Sequence, residues 1–465
     1  MTRPIELLTA TELLGMYRRR QVSPVEVTKA VLARIEARNQ ELVAYRFVAP
    51  EEALAAAKES EARWMKGEPI GLLDGVPTSI KDQWAVKGWT SPGGSIWAND
   101  IGPMPFDSPQ TQRMREHGAV LLGKTAMCEF GWKGAGDSSL TGSSRNPWNP
   151  AKTAGGSSGG AAIAAATGMG YLNLGSDGAG SIRMPAAFCG IFGFKSTYAR
   201  VPAFPHGFLP MCSHSGPMVR SVQDAALMLS VITESDPRDW LGLPPVERDW
   251  RIGLEDGVRG MRIAYSRNLG YAWIDPKVVE VSDRAVQTFR DLGAEVVEID
   301  PGFPSPREAF EVIYASSLAA TYETLTNPVP EKMDPGYIHM VEKGRRLSAI
   351  DVIRALKDRD TLGRHMNAFH EDYDLLITPQ LSLTAFDCGQ DYPPGLGMKS
   401  WFDWAEFAYP FNFTQQPAAT MPCGFVDGLP VALQIVAPRY REDLALKASR
   451  AFETVHPIRL PEDRA

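Results

Sequence analysis

The chain has 465 residues, 44% hydrophobic and 22% charged, which is near the average for globular proteins and excludes a disordered, collagenous or disulfide-packed chain. Its 48 basic and 55 acidic residues leave a net charge of −7, so neither nucleic acid nor an anionic membrane is expected as a partner held by bulk electrostatics. No apolar run approaches the ~18 residues of a membrane span, the N-terminal stretch lacks a signal-peptide core and the five cysteines lie far apart, a pattern that points to a cytoplasmic protein with free thiols.

In chain order, residues 1–70 read as helices: Thr9–Arg20, a second from Ser23-Pro24, and Pro50–Lys66. Ser23, Pro24 and Glu26 together form a helix start, with proline in the first turn and the acid at the capping-box position. From Gly75 the texture changes to short apolar runs, VPTSIKD, GAVLLGKTAM and YLNLG, which predict buried strands ending in loops. GAAIAAATG at 160–168 predicts a small-residue helix pressed against a sheet. MRIAYS, a helix over about 277–292 and AEVVEID form a βαβ unit. Residues 301–373 read as almost wholly helical, DLLITP as a buried strand, LPVALQIVAP as another, and Glu442–Val455 as a closing helix. The aromatic run Trp401, Phe402, Trp404, Phe407, Tyr409, Phe411 and Phe413 fits either helix core or the wall of a substrate pocket. Strands alternating with helices predict an α/β fold with a mixed, largely parallel central sheet covered by helices on both faces.

Residues 131–193 hold 15 of the 42 glycines, about two and a half times their share, and carry two Gly/Ser motifs: AGGSSGG at 154–160 and GSDGAGS at 175–181. Such loops can aim several backbone N–H groups at one point, which suits an anion or an oxyanion. A phosphate-binding P-loop and a dinucleotide fingerprint are both absent. Gly156-Ser157-Ser158-Gly159-Gly160 matches the nucleophile elbow in form, but an elbow follows a strand, whereas NPAKTA precedes this one, and Ser158 would need a late histidine such as His339, His365, His370 or His456. No histidine lies between His117 and His206, so the serines need another base. Lys81 follows a buried apolar run. Acting as a base near pH 7 would require it to lose roughly three pKa units, about 4 kcal/mol, which full burial can supply.

These residues resemble the amidase signature family. GVPTSIKD, SRNPWNPAKTAGGSSGGAA and GSDGAGSIRMPAAFCGIFGFKST keep that family's order and close to its spacing, and the likeness extends from about Ala10 to Phe452, weakening over about 235–400. The resemblance implies a single α/β/α domain over 1–465, with N-terminal helices (1–70), a signature core (71–232), a variable substrate-pocket region (235–400) and a C-terminal return to the core (401–465). It implies a catalytic triad of Ser181 as nucleophile, Ser157 as bridging serine on a cis peptide, and Lys81 as base. Backbone N–H groups of Gly178, Ala179, Gly180 and Ser181 are the expected oxyanion donors, aided by the N-terminus of a helix beginning at Ser181. Ser158, Asp177 and Arg183 are expected in supporting roles.

The implied reaction is hydrolysis of an amide, anilide or carbamate, with esters as a side activity, through an acyl-enzyme and without metal or cofactor. The partner is a small-molecule amide or carbamate substrate, and a homodimer is compatible with the sequence. The alternative is the glutamine-hydrolysing component of a tRNA-dependent amidotransferase. One departure bears on substrate class: Gly178-Ala179-Gly180-Ser181 stands where the family commonly has Thr-Gly-Gly-Ser, which alters the pocket floor.

Overall fold

In the computed structural model, which describes residues 3–246 and 248–464, eleven strands form one continuous sheet. In chain order they are β1 (Tyr45–Val48), β2 (Pro77–Lys81), β3 (Val120–Thr125), β4 (Leu172–Asp177), β5 (Phe192–Lys195), β6 (His214–Val219), β7 (Arg262–Tyr265), β8 (Glu295–Glu298), β9 (Leu375–Pro379), β10 (Ala418–Val426) and β11 (Leu429–Val436). Across the sheet the order is β1-β3-β2-β4-β6-β5-β10-β11-β9-β7-β8. The sheet is mixed. Parallel pairing lies in two blocks, β3-β2-β4 and β9-β7-β8, joined by antiparallel strands.

The side-chain period of two divides the interior into two cores. Leu375 and Ile377 of β9 enter one core and Leu376 the other; Ile263 and Tyr265 of β7 oppose Ala264, and Leu433 and Ile435 of β11 oppose Ala432 and Val436. The first core is covered by helices Pro24–Leu42, Gly159–Ala166, Val222–Ile232 and Glu442–Val455. The second is covered by Arg307–Tyr322, Pro335–Arg345 and Ala349–Asp372. Among the described residues no helix is long and apolar enough to cross a membrane.

Local signals in the sequence set several helix boundaries. Helix Ala10–Arg18 starts on a capping box between Thr9 and Glu12, and Pro24–Leu42 on one between Ser23 and Glu26. The aromatic run proves to be core: Trp401, Phe402, Trp404, Phe407, Tyr409, Phe411 and Phe413 are all buried in the second cluster. Four strands, β1, β5, β6 and β10, go unmarked by apolar runs in the sequence. Pro217 interrupts the run in β6, and in β10 Pro422 sits at a register shift, where a proline can be tolerated inside a sheet.

Candidate active site

Lys81 ends β2 and Asp177 ends β4. These strands pair in parallel, with Ile80 opposite Leu174, so both residues lie at carboxyl ends, where open α/β sheets place their ligand sites. Ser157 and Ser158 stand just before helix Gly159–Ala166, from which the chain continues into β4. A Cβ on Gly156 would lie 2.2 Å from the Ala135 carbonyl oxygen, so only glycine fits there. The Gly156–Ser157 peptide is cis.

Lys81 has no exposed surface, and its Nζ lies 2.7 Å from Ser157 Oγ, 2.8 Å from Ser158 Oγ and 2.8 Å from Ser176 Oγ. Burial pushes its pKa down to about 7, against smaller opposing pulls from Cys128 and Asp177. Near neutrality it therefore has an accessible neutral form, able to take a proton from a hydroxyl. The two serine motifs are held together by the Ser158 N–H, which donates to the Ser181 carbonyl at 3.2 Å. Ser157, Ser176 and Ser181 line one small cavity, whose other walls include Gln83, Gly178, Ala179, Phe208, Ser213 and Tyr314.

The loop between Asp177 and Arg183 is fixed by a buried ion pair, Arg183 Nε to Asp177 Oδ2 at 2.9 Å with neither side chain exposed. Burial alone would raise the Asp177 pKa, but the charge and hydrogen bonds of Arg183 overcome it and hold the carboxyl well below its ordinary range. The guanidinium also reaches the Ala408 carbonyl, Gln434 and Asn412, so this buried fork has acceptors all round.

Two expectations for this loop are corrected. The Gly180 N–H donates to Asp177 Oδ1 at 2.7 Å; it is committed to the carboxylate and is not free to bind an oxyanion. The helix runs over Arg183–Cys189 and so begins two residues after Ser181. Asp177 Oδ2 accepts from the N–H groups of Ile182 and Arg183, so a carboxylate already meets the positive end of the helix. The Ala179 and Ser181 N–H groups carry no hydrogen bond among the described residues. Gly178 and Ala179 do not have positive φ, so Ala179 fits without backbone strain, whereas Gly180 has φ +118° and its Cβ would lie 2.5 Å from that of Ala408.

The nucleophile-elbow match fails for a reason other than the one the sequence suggested. Asn149–Thr153 is in fact a short strand, but Ser158 Oγ accepts from Lys81 and donates to the Ser176 carbonyl at 3.1 Å, and it does not line the cavity. The sequence reading also missed Ser176, Gln83, Asn412 and His214. Ser176 lies inside the quoted GSDGAGS motif, so its place beside Asp177 was a usable signal. Asn412, within the aromatic run, donates to the Asp177 carbonyl and carboxylate. His214 lies within hydrogen-bond distance of the Asp177 carbonyl, and burial, reinforced by Lys195, keeps it neutral. Only the antiparallel pairing of β6 with β4 brings it there.

The fold places a buried lysine and several serines together at the carboxyl ends of parallel strands in a mixed α/β sheet, and the comparisons say which class of protein this is. A family model described as Amidase matches residues 26–446. An acylamidase of Rhodococcus erythropolis is 36% identical over 97% of this chain and 96% of its own length. A glutamyl-tRNA(Gln) amidotransferase component from Moorella thermoacetica is 34% identical over 98% of both. Among solved structures, a bacterial aryl acylamidase of the amidase signature family superposes with a TM-score of 0.92 at 31% identity, covering 98% of this chain and 97% of that one. The chain belongs to the amidase signature family and is an amidase-family enzyme acting on C–N bonds.

Proposed function

We propose that the protein hydrolyses an uncharged amide, anilide or carbamate through a Ser181–Ser157–Lys81 triad and an acyl-enzyme, with esters as a side activity. The observation that carries this reading is the contact of a fully buried Lys81, its pKa near 7, with Ser157 Oγ at 2.7 Å. Neutral Lys81 takes the proton of Ser157 while Ser157 takes that of Ser181, and Ser181 Oγ attacks the carbonyl carbon. The free Ala179 and Ser181 N–H groups are the donors for the resulting oxyanion, each worth about 3 kcal/mol. The relay then returns a proton to the leaving nitrogen, and water repeats the attack to release the acid.

The amidotransferase reading has its own support in the 34% identity to the Moorella thermoacetica protein. What favours the neutral substrate is that the walls immediately around Ser181 contain no Asp, Glu, Arg or Lys. Glutamine would bring an α-ammonium and an α-carboxylate that need charged partners, whereas a neutral amide or carbamate needs none. The acylamidase relative, at slightly higher identity, fits the same reading.

The test is a panel of primary amides, anilides, carbamates, esters and glutamine, assayed with the isolated wild type and Ser181→Ala. Turnover of a neutral amide or carbamate that vanishes in the variant is expected. Exclusive turnover of glutamine, or turnover only with a partner protein added, would overturn this reading in favour of the amidotransferase.

A further inference from the structure

The three hydroxyls around Lys81 differ in where their own protons go. Ser158 Oγ donates to the Ser176 carbonyl at 3.1 Å and accepts both from Lys81 and from the Ser176 N–H at 3.2 Å. Its single proton and both lone pairs are therefore in use. Ser176 Oγ donates to Gln83 Oε1 at 2.7 Å while accepting from Lys81 at 2.8 Å. Ser157 Oγ has no hydrogen-bond partner other than Lys81 among the described residues, and its own proton is directed to no other acceptor.

A neutral lysine amine has two N–H bonds and one lone pair. Ser158 and Ser176, with their protons directed elsewhere, can only receive the two N–H bonds. The lone pair is left for Ser157, the one hydroxyl able to donate to it. Ser158 is held in this role by backbone, but Ser176 is held by a single side chain, Gln83, which lies half-buried on the cavity wall. Without an acceptor at Gln83, the Ser176 hydroxyl is free to turn its proton onto the lysine nitrogen and occupy the lone pair that Ser157 needs.

We propose that Gln83 is a positioning residue that, through the Ser176 hydroxyl, keeps the lone pair of neutral Lys81 directed at Ser157. The inference rests on the triad reading above and adds to it a residue that, among the described residues, is hydrogen-bonded to none of the three.

The experiment compares Gln83→Leu, Gln83→Glu, Ser176→Ala and Lys81→Ala on one neutral substrate across pH, with rates normalised to the Ser181 titrated by a fluorophosphonate so that misfolded protein is not counted. Gln83→Leu should lower kcat at every pH, by at least about tenfold given the 100- to 10,000-fold typical of a positioned base. Gln83→Glu keeps an acceptor for Ser176 but adds a negative charge near Lys81. It should recover the wild-type plateau at alkaline pH, with its acid limb moved up by about one unit. Ser176→Ala removes the competing hydroxyl, so adding it to Gln83→Leu should bring kcat back to that of Ser176→Ala alone.

A Gln83→Leu enzyme with wild-type kcat and only a raised KM would make Gln83 a substrate contact and overturn the proposal. An unshifted acid limb in Gln83→Glu would overturn it too, and that variant decides the matter if Gln83→Leu fails to fold. Wild-type turnover in Lys81→Ala would instead overturn the triad reading itself, and the positioning role with it.

Discussion

Lys81 and Lys124 lie near the carboxyl ends of neighbouring parallel strands, β2 and β3, with Ile80 opposite Lys124 in the register. Both are fully buried, and burial pushes both down to about 7. They differ in what their amines touch. Lys124 donates to the Trp84 carbonyl and to Ser91 Oγ, and Lys195, a third buried lysine held well below its ordinary value by burial and Arg183, donates to the Gln416 carbonyl. A carbonyl can only accept and gives the amine no proton to take, and the one hydroxyl on Lys124, that of Ser91, is itself directed at the Trp84 carbonyl. Lys81 alone of the three is ringed by hydroxyls, and one of these lines a cavity with Ser181. Desolvation makes a lysine basic enough to matter near neutrality, but the partners decide whether that basicity can be used.

The sharpest way to break this contrast is to remove each group in turn. Ser181→Ala and Lys81→Ala should each lower kcat by about four orders of magnitude or more, as losses from a catalytic unit do, with the circular dichroism spectrum unchanged. Lys124→Met, which keeps length and volume, should leave kcat within about threefold in a steady-state assay, the scale of a substitution outside the reacting groups. A hundredfold loss there would show that a shifted pKa near the sheet edge matters more than hydroxyl partners.

A second test concerns why Lys81 is not simply neutralised by Asp177, which ends the adjacent strand. Arg183 absorbs that charge through its buried ion pair. Arg183→Met leaves the carboxylate buried and unpaired and should cost about 3–5 kcal/mol of stability, read as a lower denaturant midpoint. A midpoint equal to wild type would mean that Asn412 and the Gly180 N–H suffice to hold the loop.

The pH profile follows from the direction of the Lys81 shift. Its folded pKa of about 7 lies below the ordinary 10.5, so the reactive neutral form is lost as pH falls through 7. The logarithm of kcat/KM should have an acid limb near pH 7 with unit slope, about tenfold per pH unit below it, and no such limb above pH 9. A flat profile from pH 5 to 8 would remove lysine from the role of base.

Much of this site was legible in the sequence because its parts are local. The glycine excess over 131–193 marks backbone that admits no side chain, as at Gly156, and Lys81, Ser157 and Ser181 each sit in a short ordered motif. Helices that begin on capping boxes could be placed closely for the same reason. The missed parts depend on pairing over long sequence separations. His214 and Asn412 reach Asp177 only because β6 lies beside β4 and because Pro410–Phe413 folds over the loop. Gln83 looks like any loop glutamine until Ser176, 93 residues away, is seen donating to it. Gly180 was assigned to the oxyanion by motif, and only the direction of the Asp177 carboxylate reveals that its N–H is already taken.

The smallest expected effect tests the pocket floor. Gly178 and Gly180 are two residues apart, yet only Gly180 is compelled to be glycine, by its φ of +118° and by Ala408. A Cβ on Gly178 would meet nothing closer than Leu209 Cδ2 at 3.5 Å and Ser213 Oγ at 3.6 Å, ordinary contact distances. Gly178→Ala should therefore fold normally and place a methyl group in the cavity beside Ser181. A methyl in a substrate pocket is worth about 1–3 kcal/mol of discrimination, so kcat/KM for a bulky anilide should fall roughly tenfold or more, while that for a small primary amide stays within about threefold. Equal loss on both substrates would mean that the methyl had displaced the loop, and with it the Ala179 and Ser181 N–H groups. Selective loss would identify the missing side chain at 178 as space this enzyme keeps for the bulk of its substrate.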